Sequence, residues 1–214
     1  MHDLSPLCVD LDGTLVQTDT LRQSLFALLR ANPMRALVTL TAIPKGKARF
    51  KQTVARFAPF DAAALPYRRD FLEWLEAERA AGRRLILATG ADSKIALAVA
   101  NHLSIFDGVI ASDGRLNVTG ENKARAIRSY LDAAPFLYAG DSAADLETWS
   151  ASAGAIVMNP TRARLHALVQ ASVPVLRTFS DAETPRRLPA PVAGAVTLAL
   201  VTALIWLVTH FRPW

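Results

Sequence analysis

Val9-Asp10-Leu11-Asp12-Gly13-Thr14-Leu15 overlaps the end of the apolar run Leu7-Cys8-Val9 and sets two carboxylates two residues apart, directly ahead of a glycine. The run reads as a short buried strand and the glycine as the turn that ends it. Residues i and i+2 share a face for as long as a strand lasts. With the strand ending at Asp12, both acids flank one point just past its carboxyl end, the edge where open α/β sheets bind ligands. A carboxylate there can attack phosphorus as a covalent nucleophile. Two carboxylates and a carbonyl oxygen also suit a hard cation such as Mg²⁺. Alone, the same residues read as an Asx turn after a strand; the rest of the chain decides between the two.

Outward from this stretch, strand and helix patterns alternate. Thr20 to Phe57 reads as two or three short helices, broken at Asn32-Pro33 and Pro44-Lys45-Gly46. Pro59 to Pro66 reads as a return linker and Tyr67 to Ala81 as a helix closed by Gly82. Arg84 to Ala88 is the next strand, ending at Thr89-Gly90, and a helix follows over Asp92 to Leu103. A strand over Val109 to Ala111, a turn or hairpin at Asp113-Gly114 and a helix over Glu121 to Leu131 come next. Phe136 to Ala139 and Ala155 to Met158 are the last expected strands, with helices over Ala144 to Ala151 and Arg162 to Ala171. Such alternation with short connections predicts a parallel sheet covered on both faces.

Composition narrows the function. The 214 residues are ample for one domain and an accessory element. The single cysteine, Cys8, excludes an internal disulfide, fits a reducing compartment and reads as core packing. Four histidines (His2, His102, His166, His210) have no metal-ligand spacing. No secretory leader is expected ahead of the first strand. The net charge of +5 does not indicate nucleic acid, because the excess is local. Arg22, Arg30, Arg35, Lys45, Lys47, Arg49, Lys51 and Arg56 stand in a segment without an acid; removing these eight from 24 leaves 16 basic residues against 19 acidic. Leu37, Val38, Leu40 and Ile43 are interleaved with them. Two readings stand: a surface lying on anionic lipid or an anionic lipid-like substrate, and a solvated helical insert packed on the main domain.

Three further sites join the first. Thr89, at a strand end and followed by Gly90, offers a hydroxyl and amides for phosphoryl oxygens. Lys123, at the start of a helix, can neutralise a pentavalent phosphoryl centre; alone it also reads as a solvated surface lysine. Gly140-Asp141-Ser142-Ala143-Ala144-Asp145 again puts an acid past a strand, so Asp141 completes a Mg²⁺ shell and Asp145 orders it from behind. Asp145 also reads as a first-turn acid favoured by the helix dipole.

In this order the sites resemble the haloacid dehalogenase superfamily of phosphohydrolases. Its Asp-x-Asp-Gly-Thr motif matches Asp10 to Thr14, its threonine Thr89, its lysine Lys123, and its Gly-Asp-x-x-x-Asp motif Gly140 to Asp145. The resemblance implies a doubly wound parallel α/β sheet with a core over 1–18 and 66–178 and a helical cap over 19–65. It further implies Asp10 as the nucleophile forming an aspartyl phosphate and Asp12 as the acid/base. Mg²⁺ would be held by Asp10, Asp12 and Asp141, and phosphate by Thr89, Gly90 and Lys123. Thr89-Gly90-Ala91-Asp92 departs from the commonest pattern after the threonine, which limits any transfer of substrate specificity. Leu65-Pro66-Tyr67, Ala77 to Arg84 and Tyr138 to Ser142 are similar to hydrolase domains fused ahead of UbiA-type prenyltransferases.

Leu188 to Thr209 is a run of 22 residues without charge, between Arg186-Arg187 and His210-Phe211-Arg212. At about 1.5 Å per residue it spans a hydrocarbon core of roughly 30 Å. Pro189 and Pro191 stand at its entrance and Trp206 and Trp214 near its exit. It is expected to be a transmembrane anchor over 188–211 after a linker over 179–187, with the catalytic part facing the cytoplasm; a buried C-terminal helix is the other reading. The expected protein is a membrane-anchored, Mg²⁺-dependent phosphatase acting on a phosphorylated small molecule or a polyprenyl-linked phosphosugar such as a phosphoribosyl lipid. A small-metabolite phosphatase of the phosphoserine-phosphatase type and a catalytically idle membrane partner of a prenyltransferase are the alternatives.

Overall fold

The computed structural model describes residues 4–181. Six strands, β1 (Leu7–Val9), β2 (Leu85–Asp92), β3 (Gly108–Ser112), β4 (Leu137–Gly140), β5 (Gly154–Met158) and β6 (Val175–Phe179), pair in the order β3-β2-β1-β4-β5-β6. Every pairing is parallel. The order reverses direction at β1 and β4, and that switch point opens a crevice at the carboxyl edge of the sheet.

Between β1 and β2 the chain forms α1 (Thr20–Ala31), α2 (Pro33–Leu40), α3 (Lys47–Phe57) and α4 (Arg69–Ala80). α5 (Ser93–Leu103), α6 (Glu121–Tyr130), α7 (Leu146–Ser150) and α8 (Arg162–Gln170) then alternate with the remaining strands. The period-2 rule sorts the sheet residues into two cores. On one face Leu7, Val9, Leu85, Leu87, Leu137, Ala139, Ile156 and Met158 pack with Phe71 and Leu75 of α4 and Ile95 and Val99 of α5. On the other, Cys8, Ile86, Ala88, Tyr138, Ala155 and Val157 pack with Ile127 of α6, Trp149 of α7 and Leu168 of α8. Full burial of one such large apolar side chain contributes about 1.5–3 kcal/mol. The strands are therefore fixed from both sides, which holds their carboxyl ends in place.

The breaks expected in the insert act as caps. Asp19 accepts the Arg22 N–H at 2.8 Å to start α1. Asn32 accepts the Arg35 N–H at 2.9 Å, and Pro33 occupies the first turn of α2, where its missing N–H costs nothing. α2 neighbours α1 and α3 and buries Ala36 and Thr39, while Met34, Leu37 and Val38 stay exposed.

Several boundaries differ from the sequence reading. β2 continues through Thr89 and Gly90 to Asp92, with a register shift against β3 that lets it run past the expected stop. Asp113-Gly114 makes no hairpin: Asp113 Oδ1 accepts the Arg115 and Leu116 N–H groups at 2.9 and 2.8 Å, an Asx-type turn leading into a loop. Residues 143–151 divide into a short 3₁₀ turn (Ala143–Asp145) and α7. β6 was not expected, because four of its five residues are exposed and it carries no alternating apolar signal. Its Phe179, assigned to the linker by sequence, packs edge-on against Phe71 at 5.0 Å and against Trp74 at 5.4 Å. The rest of the linker from residue 182 and the anchor over 188–211 lie outside the described residues. Among the described residues no helix is long and apolar enough to cross a membrane.

Candidate active site

The site is built where β1 and β4 end side by side. The Asp10 N–H donates to Ala139 O at 3.0 Å, extending the ladder by one residue beyond Val9. The chain then turns back on itself, with Leu15 N–H reaching Asp10 O and Val16 N–H reaching Leu11 O. Gly13 lies at φ +73°, and a Cβ built on it would stand 2.2 Å from Asp141 Oδ2. Glycine is thus required twice, for the left-handed backbone and for the space that the Asp141 carboxylate fills.

The turn separates the two acids of the first motif. Asp10 Oδ2 lies 2.9 Å from Lys123 Nζ, inside the crevice. Asp12 points to the insert instead, its Oδ1 accepting the N–H of Thr20, first residue of α1, at 2.7 Å. Burial, followed by the nearby Asp19 charge, pushes the Asp12 carboxyl up to about 7, against the opposing Thr20 N–H. Asp10 is also raised by burial, while Lys123 pulls the other way. Burial works against the Lys123 ammonium, but Asp10 and Asp145 hold it charged, above its ordinary range.

Asp145 anchors this arrangement. Its Oδ1 accepts from Tyr138 Oη at 2.7 Å and from Lys123 Nζ at 3.5 Å. Its Oδ2 accepts the N–H groups of Asp141 and Ser142 and the Ser142 hydroxyl, at 3.2, 3.0 and 2.8 Å. Despite burial, Lys123, Tyr138 and Ser142 draw the Asp145 carboxyl below the ordinary range. Tyr138 Oη in turn accepts from Lys123 Nζ at 2.7 Å, so one phenol joins the lysine to the acid. Asp145 also forms the capping box of the 3₁₀ turn with Ser142, so it orders both the turn and Lys123.

Oxygen atoms of Asp10, Asp141 and Asp145 come within 4.8 Å of one another. The two Asp145 oxygens share five donors, whereas each Asp10 oxygen meets one, the Leu11 N–H on Oδ1 and the Lys123 ammonium on Oδ2, so Asp10 and Asp141 are the carboxylates with lone pairs left for a cation. Burial, then the charges of Asp10 and Asp145, pushes Asp141 up to about 6. Buried, mutually repelling hard-oxygen donors fit a divalent cation of the Mg²⁺ kind. The Asp12 carboxylate lies outside this group, held toward the insert by the Thr20 N–H.

Register sets Val9 beside Leu87, so Thr89 lies two residues further along the same edge. Thr89 is fully buried and its Oγ1 accepts the Ala91 N–H at 3.0 Å, which leaves its own proton to be donated. The Gly90 carbonyl accepts from Ser112 Oγ at 2.9 Å and from Lys51 Nζ at 2.6 Å. Lys51 comes from α3 of the insert and also donates to Asn117 Oδ1 at 3.0 Å, in the loop after β3. The sequence leaves the basic insert open between a lipid-facing surface and a solvated insert packed on the main domain; Lys51 itself is turned to the sheet edge.

Sequence reading missed four contributors. Tyr138 carried a usable signal, since a phenol on a buried strand needs a partner for its hydroxyl. Arg68, buried at the start of α4, donates to Gly13 O at 2.8 Å, and Lys51 and Asn117 meet only through the insert. None of these three has a local pattern that marks it.

Comparison with known proteins agrees with this geometry. The chain is 39% identical over 153 residues to the uncharacterized protein y4nM of Sinorhizobium fredii (strain NBRC 101917 / NGR234), covering 72% of this chain and 30% of that protein. It thus spans under a third of that relative's length. A protein of unknown function from Bordetella pertussis Tohama I superposes with a TM-score of 0.60 at 18% identity, covering 79% of this chain and 96% of the other. A phospho-aspartyl intermediate analogue of phosphoserine phosphatase superposes with a TM-score of 0.52 at 13% identity, covering 82% and 92%. At such identities the two structures speak for the fold. Residues 7–149 match the haloacid dehalogenase-like hydrolase family, and the chain, with its aspartates at the ends of β1 and β4, belongs to that family.

Proposed function

We propose that the protein is a phosphomonoester phosphatase working through an aspartyl phosphate on Asp10. The observation that carries this is the division between the two acids of the first motif. Asp10 lies 2.9 Å from the Lys123 ammonium, while Asp12, two residues on, is pushed up to about 7 and can hold a proton near neutrality. A nucleophile and an acid drawn from neighbouring carboxylates need this separation.

In the first step an Asp10 oxygen bonds to phosphorus, the ester P–O bond breaks, and the departing alkoxide takes the Asp12 proton. In the second, the Asp12 carboxylate accepts a proton from water as the water oxygen bonds to phosphorus, the bond from phosphorus to the Asp10 oxygen breaks, and inorganic phosphate leaves with Asp10 restored as a carboxylate. Lys123 and the Thr89 hydroxyl stabilise charge on the phosphoryl oxygens, and Asp145 with Tyr138 holds Lys123 in place. A Mg²⁺ ion held by Asp10 and Asp141 would supply shielding of phosphoryl charge.

For the substrate, the reading is a phosphate ester presented at a membrane, with a polyprenyl-linked phosphosugar as the lipid candidate and a phosphoserine-like small metabolite as the soluble one. The 22-residue charge-free stretch supports membrane anchoring, and Met34, Leu37 and Val38, exposed beside Arg30 and Arg35, support a lipid-facing insert. An idle partner of a prenyltransferase would have no use for a buried Lys123–Asp10–Asp145 network.

The test is hydrolysis of p-nitrophenyl phosphate with Mg²⁺ by the full chain in detergent. Wild type should turn over, and Asp10→Asn should lose at least about 10³-fold in kcat with an unchanged circular dichroism spectrum. Equal turnover by the two proteins would remove Asp10 as nucleophile. Lipid-linked and soluble phosphosugars assayed side by side then separate the two substrate candidates.

A further inference from the structure

Lys51 is a cation that the chemistry above does not use. It leaves α3 of the insert and ends among neutral acceptors, Gly90 O at 2.6 Å and Asn117 Oδ1 at 3.0 Å. A surface lysine gains little by burying its ammonium on carbonyls, since desolvation is offset only by hydrogen bonds and not by an opposite charge. Burial accordingly lowers its proton affinity, with the charges of Asp12, Asp19 and Asp10 opposing that fall. Its bond to the Gly90 carbonyl, one residue past Thr89, puts the ammonium at the rim of the site.

Its surroundings are built for it. Gly90 has no side chain, and a Cβ there would stand 3.4 Å from Lys51 Nζ and 2.6 Å from the Thr119 methyl carbon. Asn117 is itself oriented by donating from its Nδ2 to Thr119 Oγ1 at 2.8 Å. The neighbouring Gln52 donates to Asp113 O at 3.0 Å, and Lys94 donates to Ala55 O at 2.9 Å. Lys51, Gln52 and Lys94, together with the Thr20 N–H on Asp12, fasten the insert to the core, and Lys51 is the one among them that ends beside Thr89, on the Gly90 carbonyl.

We infer that Lys51 is a specificity residue that binds an anionic oxygen on the leaving-group side of the substrate, exchanging a neutral carbonyl for that oxygen when substrate enters. This rests on the phosphatase reading and names a substrate class within it: phosphate monoesters whose alcohol carries a second negative group. Phosphoryl oxygens already have Lys123 and Thr89 on the core side. A lysine delivered by the insert meets what lies beyond the scissile ester. The second group has two chemical sources, a carboxylate or a further phosphate, and matched probes distinguish them.

The test measures kcat and KM with Mg²⁺ for 3-phosphoglycerate against glycerol 3-phosphate, and for ribose 1,5-bisphosphate against ribose 5-phosphate. Wild type should prefer the doubly anionic member of at least one pair, and the pair preferred identifies carboxylate or phosphate. Lys51→Gln keeps an N–H donor for Gly90 O and Asn117 Oδ1 but has no charge. It should cut that preference about 30-fold, mainly through KM, and Lys51→Arg should restore part of it. No wild-type preference in either pair, or an equal loss on both members in Lys51→Gln, overturns the inference and leaves Lys51 a fastener of the insert. Absence of wild-type turnover of p-nitrophenyl phosphate and of all four esters overturns the phosphatase reading itself, and the role of Lys51 with it.

Discussion

The ends of β1 and β4 each present two aspartates, and the two pairs are arranged in opposite senses. At β1 the first acid, Asp10, faces the shared crevice, and the second, Asp12, turns out to a single N–H at the start of α1. At β4 the first acid, Asp141, fills the space above Gly13, and the second, Asp145, turns back beneath it and is hydrogen-bonded on both oxygens. Asp12 is partly and Asp145 almost wholly withdrawn from solvent, yet the Asp12 carboxyl is pushed up to about 7 and that of Asp145 falls below its ordinary range. Burial is common to both. What differs is the donor set: Asp12 is met by Thr20 alone, whereas Asp145 meets five donors with a lysine among them.

The largest effect that would break this comparison is expected at Asp12. Asp12→Asn removes the proton carrier while keeping an oxygen for the Thr20 N–H. Turnover of an alkyl phosphate should fall about 10²–10⁴-fold. p-Nitrophenyl phosphate should lose far less, because its leaving group departs without a proton. Similar losses on both would show that Asp12 acts otherwise than as the acid. In wild type the alkyl-phosphate rate should decline as pH rises through about 7, the value to which Asp12 is pushed.

The same substitution sharpens the comparison through stability. Folded Asp12 binds its proton more tightly than unfolded Asp12, whose value is near 3.8. Its contribution is therefore fully present below pH 4 and lost as pH rises through about 7. In the presence of a chelator, Asp12→Asn should melt higher than wild type at pH 8 and close to it at pH 4. A melting curve lower at pH 8 would contradict the burial argument.

Asp145→Ala should do the reverse. It leaves Lys123 with one carboxylate and frees the N–H groups of Asp141 and Ser142, so unfolding in urea should show a loss of about 3–5 kcal/mol. A loss under about 1 kcal/mol would mean that the β4 pair does not anchor the site. Tyr138→Phe is the smallest change, removing one hydroxyl between Lys123 and Asp145. A loss of about 1–2 kcal/mol is expected, with the acid limb of the rate profile moving to higher pH as Asp145 loses a donor.

Much of the architecture was legible because its signals are local. Apolar runs ending at Asp12, Thr89 and Gly140-Asp141 marked three parallel strands whose carboxyl ends meet, and Asn32-Pro33 and Gly46 marked the breaks between insert helices. β6 was hidden, since an edge strand with exposed Val175, Leu176 and Arg177 shows no burial pattern. The positions of Asp10, Lys123, Asp141 and Asp145 were readable from spacing, but the direction of Asp12 was not. That direction depends on where the first insert helix begins. Lys51 illustrates the same limit: its sequence context is a basic amphipathic helix, and only packing of α3 on the core distinguishes it from its exposed neighbours Lys47 and Arg49.

An all-parallel sheet also gives the chain a front and a back. Leu4 to Pro6 enter β1 at the amino edge, whereas Phe179 leaves β6 at the carboxyl edge, the edge that carries Asp10 and Asp141. A purification tag or fusion partner added ahead of Leu4 starts behind the sheet, away from substrate. Along the carboxyl edge three strand spacings of about 4.8 Å separate the end of β6 from the end of β1. Handles for immobilisation or labelling therefore belong at the amino end.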